Sequence, residues 1–202
     1  MNHTHYAHLP LPEQINPCID FHGHLCPGLV YGYLVGMEAL RLFGESRSED
    51  EEMVAIGEND ACSVDALQVL LGTTSGKGNL TIQNIGKNVY TVYSRSAGKA
   101  YRFSRKSTYV FSGEEREKFD VLEEKFASGV ATPEERKEQK MMKAVDLLHK
   151  PVDQVFEITE AAIPAPSFAE LAPSVACASC GELTMKTKMI EKEGKLYCQP
   201  CA

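Results

Sequence analysis

Apolar residues recur at helical spacing from Gly28 to Phe43, where Leu29, Tyr33, Met37 and Leu40 form one stripe at steps of four, four and three. Gly28, Gly32 and Gly36 mark a second, smooth strip at every fourth position. The strip would let another backbone approach closely; each glycine costs a helix about 1 kcal/mol relative to Ala, and packing against a sheet or a partner subunit is the expected compensation. Met53-Val54-Ala55-Ile56 reads as a strand. Asn59 then suits the N-cap of a helix running to about Leu71, with Ala66, Leu67, Val69, Leu70 and Leu71 on its apolar side. After a Gly/Ser/Thr loop at Thr73–Asn79, three strand-like runs follow, Leu80–Ile85, Val89–Arg95 and Ala100–Arg105, with turn residues at 86–88 and 96–99. Strands in consecutive hairpins with helices gathered elsewhere predict an α+β fold, an antiparallel sheet packed by helices.

Residues 113–127 and 133–148 are charge-rich amphipathic helices, the second opened by Thr132 as cap and Pro133 at the first helical position. Val152–Ile158 reads as one more strand. Pro164, Pro166 and Pro173 among Ala and Ser then mark a linker. The expected organisation is a core domain over 1–160, a Pro/Ala linker over 161–174 and a small C-terminal finger over 175–202.

The chain has 202 residues and a net charge of −7, which argues against general binding to nucleic acid or anionic membranes. No stretch approaches the ~18 apolar residues of a membrane span. The opening MNHTHYAHLPLPEQ lacks the basic and apolar regions of a secretory signal, so a cytoplasmic location is expected. His3, His5 and His8 there read as a solvated arm. Of the seven cysteines, four stand in two CxxC pairs, a usage that suits metal ligation in a reducing compartment better than a disulfide framework.

Those pairs, Cys177-x2-Cys180 and Cys198-x2-Cys201, are separated by 17 residues, the spacing of two knuckles closing on one tetrahedral zinc. Two disulfides are the alternative. Four thiolates would leave the ion no open position, so the expected zinc is structural and supplies the folding energy of a piece too small for a core of its own. Lys186, Lys188, Lys192 and Lys195 nearly balance Glu182, Glu191 and Glu193, which favours contact with a protein partner or subunit over nucleic acid.

Asp20-Phe21-His22-Gly23-His24-Leu25-Cys26-Pro27-Gly28 places two imidazoles and a thiol within five positions, just after Cys18. With Pro27 at the first helical position, Cys26 is the N-cap, where free amides and the helix dipole favour a thiolate. Glu58-Asn59-Asp60-Ala61-Cys62 repeats the design: a cap at Asn59 puts Cys62 in the first turn, and Asp60 and Asp65 add carboxylates. If the two helix mouths converge, His22, His24, Cys26 and Cys62 form a second metal or nucleophile site. Gly72–Asn79 fails as a phosphate loop, with three residues rather than four between Gly72 and Gly76 and with Gly78 after Lys77. It reads either as an anion-binding lid loop carrying Lys77 or as a solvent turn.

FHGHLCPG with its Gly-rich helix, ENDACSVDALQ, TTSGKGNL and the CxxCGE…CxxC tail resemble the FmdE family, the E component, or E-like protein, of formylmethanofuran dehydrogenase. The motifs lie within residues 14–110 and in the tail. The resemblance implies a helix packed on an antiparallel sheet, a homodimer, a C-terminal zinc finger and a link to molybdenum- or tungsten-dependent one-carbon metabolism, in which carbon dioxide and methanofuran are converted to formylmethanofuran. It carries His22, His24, Cys26, Asp60, Cys62 and Lys77 over as the site. Nothing resembles a pterin-binding domain or an iron–sulfur run, so the chain would be an accessory component of the dehydrogenase rather than its redox-catalytic subunit. The resulting expectation is a metal-binding accessory protein whose cleft takes a metal or small anionic ligand, with Lys77 pairing the charge and the finger docking dehydrogenase subunits or another protein. The rivals are a stand-alone zinc- or thiol-dependent enzyme and a TraR-like zinc-finger regulator.

Overall fold

The glycine strip decides how the core is assembled. In the computed structural model, which describes every residue apart from the side chain of Asn2, α1 (Asn16–His22) and α2 (Pro27–Phe43) precede β1 (Met53–Gly57) and α3 (Ser63–Leu71). A Cβ built on Gly32 would lie 2.0 Å from the backbone oxygen of Ser63, so α2 and α3 touch backbone to backbone. Only glycine permits that approach. The rest of α2 is buried from Leu29 to Gly36, joining Ile15, Ile19, Leu67 and Leu71 in one continuous apolar cluster.

The sheet continues with β2 (Leu80–Ile82), β3 (Val89–Ser94) and β4 (Lys99–Arg105). After the helices α4 (Arg116–Ala127), α5 (Pro133–Leu148) and α6 (Val152–Val155), β5 (Phe156–Ala161) completes it. The order is β2-β1-β3-β4-β5. The fold is therefore α+β with a five-stranded sheet packed by helices. All neighbours are antiparallel except β1 and β2, which run parallel. That pair corrects the expected hairpin between the runs at 80–85 and 89–95. Parallel neighbours need a crossover, and α3 supplies it. Gln83 N–H donates to Gly57 O, and the N–H groups of Ile85 and Lys87 both donate to Glu58 O, so residues 83–88 wrap around the end of β1 and β3 pairs on its other edge.

On the helix side of the sheet, Phe156 packs edge-on against Tyr31, Tyr90 and Phe103. The opposite side carries a smaller cluster of Val54, Tyr93 and Ala100, backed by Ala161 and Ile163. The beginning of the expected linker is thus laid on the sheet. Arg95 holds it there, donating to the carbonyls of Pro166 and Ser167 and covering the ring of Phe168 at 3.8 Å. At α5 the expected Thr132 cap is present, its Oγ1 accepting from Glu135 N–H, and the Glu135 carboxylate in turn accepts from Thr132 N–H.

The chain divides into two compact units, 1–168 and 169–202. The second contains the short hairpins β6 (Ser174–Ala176) with β7 (Leu183–Met185) and β8 (Ile190–Lys192) with β9 (Lys195–Tyr197). No helix among the described residues is long and apolar enough to cross a membrane.

Candidate metal centre

Gly23, with φ of 95°, ends α1 in the left-handed conformation and turns the chain back over its own last turn. His24 is thereby set against His22, ring centroids 4.6 Å apart. Two residues later Cys26 caps α2 in extended conformation, its sulfur accepting from Leu29 N–H at 3.4 Å, with Pro27 at the first helical position. One ligand atom from each of His22, His24 and Cys26 lies within 4.8 Å of the others, and His22 Nε2 is 3.7 Å from Cys26 Sγ. The opposite nitrogen, Nδ1, lies 2.7 Å from Asp65 Oδ2. A hydrogen on Nδ1 satisfies Asp65 and leaves Nε2 as the atom facing Cys26 and His24, the arrangement by which a carboxylate fixes a metal-binding imidazole.

α3 starts later than the sequence predicts, and Asp65 stands in its first turn. Asn59 is buried and committed elsewhere: its Oδ1 accepts from Ala61 N–H, while Nδ2 donates to Lys87 O and to the hydroxyl of Tyr90. Residues 59–62 therefore form a turn, and Cys62 occupies the N-cap position of a helix beginning at Ser63. The two helix mouths meet at Gly28, whose absent Cβ would lie 3.4 Å from Cys62 Sγ and 3.8 Å from Cys26 Sγ. Cys62 stands beside the triad but outside the group whose ligand atoms are mutually within 4.8 Å.

Two of the residues carried over by resemblance are placed elsewhere. Lys77 Nζ donates to the backbone carbonyls of Glu49 and Asp50, at 3.2 and 2.7 Å. The loop around Lys77 is also tied down by the fully buried Asn79, which donates to the carbonyls of Asp50 and Met53. Lys77 thus serves as a cross-link between two loops and does not line the cleft. Asp60 is exposed and accepts from Asn84 Nδ2 at 2.6 Å. Of the two carboxylates the sequence adds beside Cys62, Asp65 rather than Asp60 is the one that contacts His22. Its one legible signal is its position three residues beyond Cys62.

The thiol at the helix mouth also behaves differently from the sequence expectation. Burial pushes Cys26 up to about 11; the Leu29 N–H pulls the other way, and the neighbouring Cys62 adds to the rise. Desolvation outweighs the two amide hydrogen bonds here. His24 is lowered by burial first, then by the charges of His22 and Lys140, which favours the neutral form that ligates metal. Cys18, just upstream, is fully buried in the core, where desolvation raises its thiol to about 12.

His24, Cys26 and Cys62 open into a cavity of about 710 Å³, further lined by Tyr31 and Tyr90 and by residues of α4 and α5. That volume falls within the range of small-molecule sites.

In the second unit Cys177, Cys180, Cys198 and Cys201 bring their sulfurs within 4.8 Å of one another. Gly181, φ 77°, makes the tight turn after the first pair, with its N–H on Cys177 O. The amides of Cys180, Cys198 and Ser179 hold the Cys177 thiol down to about 6, while the Cys201 side chain foremost, with burial, pushes Cys198 up to about 12. All seven cysteines are free. The donor set and its compactness fit a closed tetrahedral metal finger.

Residues 21–162 match the family model FmdE, described as "Molybdenum formylmethanofuran dehydrogenase operon". The chain belongs to the FmdE family. Its match begins one residue before His22 and runs through β5, so it includes α4 and α5, where the sequence motifs gave no sign of the family. The finger lies beyond the matched residues. A protein of Archaeoglobus fulgidus named "Probable S-adenosyl-L-methionine-binding protein" is 28% identical over 195 residues, covering 91% of this chain and 50% of that one. The FmdE-family chain thus spans half the length of this curated relative. The crystal structure of a tungsten formylmethanofuran dehydrogenase FmdE-like protein from Syntrophus aciditrophicus aligns with a TM-score of 0.56 at 21% identity, covering 93% of this chain and 89% of that one. This second likeness establishes the shared fold.

Proposed function

We propose that this FmdE-family protein is a metal-binding accessory component of molybdenum- or tungsten-dependent formylmethanofuran chemistry, in which the cleft, through His22, His24 and Cys26, holds a metal ion. The single observation that carries the reading is the convergence of those three ligand atoms within 4.8 Å at the edge of a ligand-sized cavity. Two imidazoles and a thiolate suit zinc or another borderline ion, and three protein ligands leave a position open. A metal there would supply Lewis acidity toward an oxygen of the ligand.

The chain's own residues do the rest. Asp65 orients His22 through the 2.7 Å contact. Partial desolvation and the nearby charges of His22 and Lys140 lower His24 and favour its neutral form, and Cys26, whose thiol burial raises, must give up a proton when it ligates. Cys62, beside Cys26, is placed to serve as a further ligand. The raised Cys26 thiol disfavours a stand-alone thiol nucleophile, which needs a depressed value. In this reading the finger holds a structural zinc and docks a protein partner, dehydrogenase subunits among them. The protein works in the cytoplasm as a homodimer.

Metal analysis of the Cys177→Ser/Cys180→Ser variant tests the core site apart from the finger. One equivalent of metal should remain with the folded chain, and a further His24→Ala substitution should remove it. Loss of all metal when the finger alone is destroyed would refute the core site.

A further inference from the structure

The chain carries a net charge of −7, yet five basic side chains and a single acidic one line the cleft beside His24 and Cys26. The acid is already neutralised: Glu123 pairs with Lys143 at 3.6 Å and accepts from Gln139. Among the remaining cations, Arg136 has its N–H groups committed to the carbonyls of Gly129 and Ala131. Arg105, Lys137 and Lys140 have no carboxylate partner among the described residues. Arg105 is fixed in direction, its guanidinium 4.6 Å over the ring of Tyr31 and its backbone N–H on Asn88 O at the end of β4. A positive cavity on an acidic protein concentrates anions locally, and an oriented guanidinium matches the two oxygens of a phosphate or carboxylate.

We propose that Arg105, Lys137 and Lys140 bind the charged end of a multiply negative phosphate- or carboxylate-bearing ligand in the cleft beside the His22–His24–Cys26 cluster. The inference rests on the metal-cleft reading and deepens it, because it names the ligand class and moves the anion-binding role from Lys77 to β4 and α5. The sequence pattern alone assigns the α5 charges to a solvated face; the cavity gives two of them a shared target. A sulfonium compound such as S-adenosylmethionine, with its net positive charge, is repelled by the same cations and serves as the discriminating probe.

Calorimetric titration of the full-length, zinc-loaded protein with pyrophosphate, citrate and S-adenosylmethionine decides the matter. Pyrophosphate or citrate should bind at one site per chain, weakening as salt is raised, and the tighter of the two assigns phosphate or carboxylate chemistry. Arg105→Gln and the pair Lys137→Gln/Lys140→Gln should each weaken that binding about tenfold or more, the scale of one lost charge-assisted hydrogen bond. Metal content and melting temperature should stay as in the parent, and Lys186→Gln/Lys188→Gln in the finger should change nothing. Wild-type affinity in both cleft variants, no binding of either anion, or tighter binding of S-adenosylmethionine would overturn the proposal. A core without metal whose anion affinity still falls in the cleft variants would instead refute the metal reading and leave the basic wall standing.

Discussion

His22 Nδ1 lies 2.7 Å from Asp65 Oδ2, although 43 residues separate the two along the chain. The contact ties the end of α1 to the first turn of α3 and turns Nε2 of His22 toward Cys26. Asp65→Asn removes the charge while keeping the shape. The expected outcome is a metal affinity of the core site about 10- to 100-fold weaker, the usual effect of losing an outer-shell carboxylate, with the fold intact. Competition with a chromophoric chelator, in protein whose finger cysteines are replaced, measures it.

Gly32 is where α2 and α3 meet. A methyl group there would sit 2.0 Å from Ser63 O, a backbone atom that cannot rotate away. Gly32→Ala should therefore destabilise the first unit by at least about 2–3 kcal/mol, at the upper end of overpacking effects. Gly76→Ala, which faces open space, should leave the melting temperature within a degree or two and so controls for a generic glycine effect. Thermal unfolding of the two variants side by side provides the comparison.

The Cys26 thiol gives the metal-free core a definite pH dependence. Its folded value, about 11, stands above the ordinary 9.0, so the folded state holds its proton more tightly than the unfolded chain does. That contribution is complete below pH 9 and is lost as pH rises from about 9 to 11. Cys26→Ala should flatten the decline in that window, as read by denaturant unfolding at a series of pH values. Metal binding should run the other way, tightening as pH rises because the ligating thiol must shed a proton.

Removing metal from the tail should unfold it alone. The four sulfurs of Cys177, Cys180, Cys198 and Cys201 close on one point within a unit of 34 residues that has no apolar cluster among the described residues to hold it otherwise. After Cys198→Ser, amide exchange across 169–202 should become fast while the strands and helices of 1–168 keep their protection. Unchanged protection in the tail would show that it folds without an ion.

What could be read from the sequence was local. The apolar stripe of α2, the Cys26–Pro27 start and the Thr132 cap of α5 each depend on neighbours a few residues away, and each stands in the structure as the pattern suggests, whereas the glycine strip meets α3 rather than the expected sheet or partner subunit. Placing Cys26 and Cys62 at helix starts raised their meeting only as a condition, which the packing at Gly28 meets. The parallel pairing of β2, the commitment of Asn59 to Lys87 and Tyr90, and the reach of Asp65 to His22 arise from packing between distant segments, which no local spacing encodes. Lys77 misleads for the same reason: a lysine in a glycine-rich loop looks available for a ligand until the carbonyls of Glu49 and Asp50 are seen to hold it. The basic wall of the cleft was hidden because α4 and α5 have the charge pattern of ordinary solvated helices, and only the cavity distinguishes Lys137 and Lys140 from their neighbours.

Crystals of the full chain, measured on both sides of the zinc absorption edge, test the central claim most directly. An anomalous peak should lie about 2.0–2.3 Å from His22 Nε2, a nitrogen of His24 and Cys26 Sγ, in addition to one among the four finger sulfurs. A single peak, at the finger alone in crystals grown with zinc in excess, would contradict it.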